Sequence, residues 1–258
     1  MTNKTPKTST GSVQGPAHPG GKEPKGNPFG GYRKKCYRLG EFLRDLGALL
    51  PRTTDIWGIW RHRRVDPLFR EEIMVAVART NECRLCTYVH TEWALSAGLP
   101  EGDRGEVSRP QPSGSDPGKG LALSYAESLA SSDFQQVPEG LRREVSNVYG
   151  ATRCRDIETI ARAMTVFNRS FNTVEALFSR MKGQPSGHSR LLDELPIGVA
   201  FALLYPVVIL MVSLLRRRSP IAVLRGFLAS RSDMHSTEDP AQGKQERAGY
   251  DGHFGKGR

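Results

Sequence analysis

Wherever apolar side chains cluster along this chain, they recur at a helical spacing. Between Tyr37 and Leu50 they fall at Leu39, Phe42, Leu43, Leu46, Leu49 and Leu50, and Pro51 ends the run. Steps of three and four residues place such positions on one face of a helix. Trp57, Ile59 and Trp60 follow, then the basic run Arg61-His62-Arg63-Arg64, which reads as a solvated surface. Asp66-Pro67 has the form of an N-cap with proline in the first turn. It opens a helix over about Pro67 to Arg79 that carries Phe69, Ile73, Met74, Val77 and Ala78. Thr80-Asn81 interrupts the pattern. A second helix begins close to Cys83 and runs to Ala97, where Gly98 supplies the stop.

Residues 99–117, rich in Pro, Gly, Ser and charge, read as a loop. Three more helical patterns follow, over about 118–131, 138–148 and Asp156 to Met181. In the last, Ile157, Ile160, Met164, Phe167, Phe171, Val174 and Phe178 keep the 3.6-residue period. No alternating strand pattern appears, so the predicted class is all-α, a helical bundle.

Two regions depart from this pattern in opposite directions. Residues 1–31 hold repeated Pro, Gly, Lys, Ser and Thr, with Phe29 the one large apolar side chain besides Met1 and Val13. Such a segment cannot bury enough surface to offset its ordering entropy, so 1–35 is predicted to be a disordered basic tail. Conversely, Leu195 to Leu215 holds no charge and is followed at once by Arg216-Arg217-Arg218. Its length suits a membrane-spanning helix. Pro206 near its middle, and the positive-inside tendency if the domain is cytoplasmic, favour instead a kinked helix buried in an assembly. Membrane association is the preferred expectation. Ile221, Val223, Leu224, Phe227 and Leu228 beside Arg225 extend it as an interfacial helix. The expected organisation is thus a tail (1–35), a helical extension (36–65), a helical domain (66–182), the apolar helix (195–215) and a disordered tail (229–258).

Composition changes the picture in one respect. The net charge of +10 suggests nucleic acid until it is divided along the chain. Residues 1–35 carry seven Lys/Arg against Glu23, and 216–228 carry four arginines and no acid. The stretch 36–194 has 21 basic and 21 acidic residues. The folded part is therefore neutral, and nucleic acid is discounted as its main partner. Hydrophobic residues make up 38% of the chain, a low share that fits unpacked tails. Four cysteines in 258 residues do not form a secreted disulfide framework. No signal peptide is recognised at the N-terminus, so a reducing cytoplasmic setting is expected.

Two of those cysteines stand in Cys83-x-x-Cys86-x-x-x-His90, with Glu71 twelve residues ahead of Cys83. On a helix, offsets of three and seven residues bring these groups onto one stripe. The start of a helix favours a thiolate, and the spacing lets one sulfur reach the other. His90 can accept a thiol proton, and Glu71 can orient that histidine or pass the proton on. A structural zinc site would need a second ligand pair, but Cys36 and Cys154 stand alone. Covalent haem would need histidine where Thr87 stands, and a thioredoxin reading needs βαβ context. No metal and no cofactor is expected. The bland alternative, two small residues that pack as hydrophobes, stays open, and Cys36 and Cys154 read as structural or incidental.

The run Arg70-Glu71-Glu72-Ile73-Met74-Val75-Ala76-Val77-Ala78, continued by Asn81-Glu82-Cys83-Arg84-Leu85-Cys86-Thr87-Tyr88-Val89-His90-Thr91 and Ala97-Gly98-Leu99, resembles the carboxymuconolactone decarboxylase superfamily. Its nearest branch is the alkylhydroperoxidase-D-like one, whose signature is Glu, eleven residues, Cys-x-x-Cys, three residues, His. The resemblance covers roughly 66–182, including an asparagine-bearing final helix (Asn168, Asn172). Leu85 stands where the best-known members place a histidine. The resemblance implies an all-α bundle assembled as trimers or hexamers. It implies Cys86 as the peroxidatic thiol, Cys83 as the resolving one, and Glu71 and His90 as a proton relay. The expected function is a thiol-dependent peroxidase served by a hydroperoxide substrate and a dithiol reductant protein. A decarboxylase-type lyase and a non-catalytic membrane-tethered oligomeric scaffold are the alternatives.

Overall fold

A computed structural model describes residues 34–104 and 117–236. Most of the predicted basic tail, most of the 99–117 loop and the tail beyond 236 lie outside the described residues. Those described are helical and contain no strand, so the all-α expectation holds.

Helix α1 (Leu39–Leu49) ends at Pro51, as its apolar run predicts, but the chain continues through a 3₁₀ turn (Leu50–Arg52) into a further helix, α2 (Thr53–Trp60). Helix α3 (Pro67–Thr80) starts on the predicted cap, with the Asp66 side chain accepting from the Phe69 N–H at 3.0 Å. Its residues Glu71 through Ala78 are all buried. A helix buried on every side must be enclosed, and α3 is packed by α4 (Arg84–Ser96), α5 (Pro117–Ser131) and α6 (Glu139–Met181). Helix α4 closes at Gly98, whose φ of +116° is one that L side chains rarely adopt.

The two helices predicted over 138–148 and 156–181 are halves of α6, divided at Gly150, where φ is +81°. The second half begins at residue 151 rather than 156; Ala-Thr-Arg-Cys-Arg lacks the apolar period by which spacing marks a helix, although Cys154 is buried. The segment ahead of α1 lies along α6. There the Tyr37 N–H donates to Thr173 Oγ1 at 2.9 Å and Lys34 pairs with Glu175 at 2.6 Å. Arg169 reaches back from α6 to Glu41 at 2.6 Å and lies over the Tyr37 ring at 4.1 Å.

One member of the basic run is tied to the interior through a buried partner. Arg61, His62 and Arg63 are exposed as expected. Arg64 instead turns inward to Asp156, which is fully buried, donating from Nε to Oδ2 at 2.9 Å, and it pairs with Asp55 at 3.0 Å. Its guanidinium passes so close to Gly58 that a Cβ there would meet Nη1 at 2.8 Å.

The apolar C-terminal run is helical as expected, with a break close to Pro206. Leu191–Arg216 is the one stretch among the described residues long and apolar enough to cross a membrane. It is divided into two helices, α7 (Leu191–Ala202) and α8 (Tyr205–Arg216). Pro206 falls in the first turn of α8, where proline is tolerated. Helix α7 packs on α6, and α8 packs on α4. Helix α9 (Pro220–Ser236) carries the helical chain past 229, where a disordered tail was expected.

Candidate functional site

Helices α3 and α4 are joined by a tight turn in which Glu82 takes φ of +54° and the Asn172 side chain donates to the Asn81 carbonyl at 2.7 Å. The turn delivers Cys83 as the N-cap of α4, its sulfur accepting from the Cys86 N–H at 3.4 Å. The two sulfurs are joined as a disulfide, with the Cα atoms 5.3 Å apart, inside the usual range. Cys86 therefore occupies the first turn of α4, at the positive end of the helix.

One turn further on, His90 Nδ1 lies 2.7 Å from Glu71 Oε2. The other oxygen of Glu71 accepts from Arg70 Nη2 at 2.9 Å. Burial works to raise the Glu71 carboxyl, but the hydrogen bond and charge of His90, together with Arg70, outweigh it and hold the group below its usual range. Glu71 is thus a carboxylate at neutral pH. Its His90 contact is then an Nδ1–H donor. The four residues singled out by spacing are brought together by one helical hairpin.

Cys86 and His90 share the wall of a cavity of about 640 Å³. Cys83, 1% exposed, is not among its lining residues. The rest of the wall is apolar and comes from five further elements: Leu49 ends α1, Ile56 and Trp60 lie on α2, Met74 on α3, Phe167 and Phe171 on α6, and Val207 and Met211 on α8. Leu85, between the two cysteines, lines the same space, so this position adds apolar surface where a histidine would add a base.

Sequence spacing alone missed three supports of this site. Arg70 braces Glu71 while its guanidinium lies 5.5 Å from the Trp60 ring centre. Trp93 meets the His90 ring edge-on at 4.9 Å. Its position three residues after His90 was the available signal. The wall given by α8 had none, because an apolar run does not announce what it faces. Asn168 is fully buried, and neither side-chain amide atom has a hydrogen-bond partner among the described residues.

The other cysteines are away from this chemistry. Cys36 is enclosed with the Ser186 and Ser189 hydroxyls at 3.3 and 3.2 Å. Burial pushes the Cys154 thiol up, away from the thiolate. Among the described residues no group of three or more His, Cys, Asp or Glu side chains could hold a metal ion. No family model matches the chain, and no curated protein or solved structure matches it either.

Proposed function

We propose that the protein is a thiol-dependent peroxidase of the alkylhydroperoxidase-D-like kind, cycling Cys83 and Cys86 between dithiol and disulfide. One observation carries this reading. Cys86 and His90 line the same apolar cavity, and His90 is hydrogen-bonded to a buried, ionised Glu71.

In the reduced protein the positive end of α4 favours a negative sulfur at Cys86. His90, four residues along the same face, takes the thiol proton, and Glu71 stabilises the imidazolium that results. The thiolate attacks the distal oxygen of a hydroperoxide. A sulfur–oxygen bond forms, the O–O bond breaks, and the alkoxide takes the proton back from His90 to leave as the alcohol. Cys86 is then a sulfenic acid. The Cys83 thiol displaces its hydroxyl as water and closes the disulfide. Two electrons have passed from the two sulfurs to the peroxide, and a dithiol reductant protein returns them by thiol–disulfide exchange.

The return step suits a reducing, cytoplasmic setting, and the apolar C-terminal helices suit attachment to a membrane. The bundle would assemble as a homo-oligomer, and the neutral folded region gives nucleic acid no attraction.

The test is to reduce the purified protein, add one equivalent of an organic hydroperoxide and map the cysteines by mass spectrometry. Wild type is expected to form the Cys83–Cys86 disulfide with release of one alcohol. Cys83→Ser should stop at a sulfenic acid on Cys86, and Cys86→Ser should leave the peroxide intact. Unmodified thiols beside unconsumed peroxide would overturn the reading in favour of a scaffold.

A further inference from the structure

The cavity wall and the exposed C-terminal face meet at the same residues. Leu204, Val207 and Met211 of the α7–α8 turn and α8 line the space beside Cys86, yet they are 38%, 50% and 52% exposed. Phe167 of α6, also a lining residue, is 47% exposed. The cavity therefore opens outward through an apolar rim. Beyond that rim the surface stays apolar, with Leu203, Leu210, Leu214, Ile221, Leu224 and Leu228 all exposed. So many exposed large apolar side chains on consecutive helices of a folded protein mark a surface that meets something other than water.

Two observations identify what it meets. From Leu195 to Ala229 there is no acidic residue, while Arg217, Arg218 and Arg225 are exposed at the edge of the patch. That border complements anionic lipid headgroups. A symmetric second copy would instead set an arginine-edged face against itself. The run is also fastened to the bundle at both ends. Near its start, Glu194, fully buried, is held by Arg180 at 2.7 Å. At its end, Arg216 pairs with Glu92 at 3.0 Å and with Glu101. Two helices of about 18 Å each, tied at both ends to one domain, lie along a bilayer rather than across its roughly 30 Å core.

We infer that α7–α9 dock in the plane of an anionic phospholipid bilayer and that the cavity takes its substrate from that bilayer, a hydroperoxide borne on a lipid acyl chain. The substrate class rests on the peroxidase reading above; the docking does not. The hydroperoxide group reaches Cys86 past apolar side chains, which solvate an acyl chain and exclude water. The chemistry is unchanged: Cys86 and Cys83 supply two electrons, the lipid alcohol and water leave, and a dithiol reductant restores the thiols.

The experiment compares the full-length protein with Leu210→Asp/Leu214→Asp and with Arg217→Gln/Arg218→Gln. None of these four positions lines the cavity. Cosedimentation is measured with phosphatidylcholine vesicles containing phosphatidylglycerol. Turnover is measured with phosphatidylcholine hydroperoxide in those vesicles and with soluble tert-butyl hydroperoxide. Wild type should sediment with the vesicles, and the arginine pair should lower that binding roughly thirtyfold at low salt. Both variants should lose turnover of the vesicle-borne hydroperoxide in step with binding, while tert-butyl hydroperoxide is consumed at the wild-type rate. Wild type left in the supernatant would overturn the docking. So would an oligomer that Leu210→Asp/Leu214→Asp dissociates, since a second copy would then be the occupant. Loss of both activities together would overturn the bilayer route. A protein that sediments with vesicles but reduces no hydroperoxide would overturn the substrate, together with the peroxidase reading.

Discussion

Helices α3 and α8 invert the usual relation between polarity and burial. Helix α3 carries two adjacent glutamates, yet every residue from Glu71 to Ala78 is buried. Helix α8 carries Tyr-Pro-Val-Val-Ile-Leu-Met-Val-Ser-Leu-Leu, yet only Val212 and Ser213 are buried. The difference lies in partners. Glu71 is enclosed with His90 and Arg70, and Glu72 with Lys119, so each charge entering α3 meets its counter-charge. Helix α8 packs on α4 and α9, and among the described residues its remaining face stays exposed. Composition identifies which helices are apolar; where they sit is decided by what surrounds them.

The sharpest way to break the comparison is to place the same charge on each helix. Val75→Asp, at a fully buried α3 position, should cost at least about 4 kcal/mol and prevent folding. At half-exposed Leu210 the same change should stay within about 0.5 kcal/mol, with both read by urea denaturation. Removing a partner is the next test. Glu71→Gln keeps the volume but gives His90 no carboxylate, and peroxide turnover should fall about a hundredfold in single-turnover kinetics. Arg180→Met leaves the Glu194 carboxylate buried with only the Ser189 hydroxyl as a side-chain partner, at a cost of about 2 kcal/mol after allowance for the partly exposed arginine. The smallest effect is one of pH. Because folding holds the Glu71 carboxyl below its usual value, its contribution is complete above the ordinary carboxylate range. It is lost as pH falls through the depressed value. The acid limb of a stability profile should therefore be shallower in Glu71→Gln than in wild type.

Much of this was legible because the local signals agreed. Asp66-Pro67 predicted a cap that forms, Gly98 a stop that forms, and the Glu71 to His90 spacing a cluster that assembles. What escaped reading depends on distant partners. Arg64 looks like its solvated neighbours until Asp156, ninety-two residues away, is seen to hold it. The break between α7 and α8 falls close to Pro206, which the sequence marked as a kink, but the packing of the two halves against α6 and α4 has no sign in the hydropathy run. Likewise the apolar residues of α1, α2 and α8 identify helices but not the cavity they jointly enclose around Cys86.

The segment from Lys34 to Tyr37 is held by Thr173, Glu175 and Arg169, residues more than 130 positions downstream. On a ribosome this stretch emerges early and must wait for most of the domain before it has anywhere to settle. The Glu71–His90 pair of the α3–α4 hairpin is more local, separated by 19 residues, and short loops close at low entropic cost, although its turn also leans on Asn172 of α6. The acid–base pair thus joins neighbours in the chain, while the chamber around it needs α8, more than a hundred residues further on. Without α8, Cys86 lacks part of its enclosure.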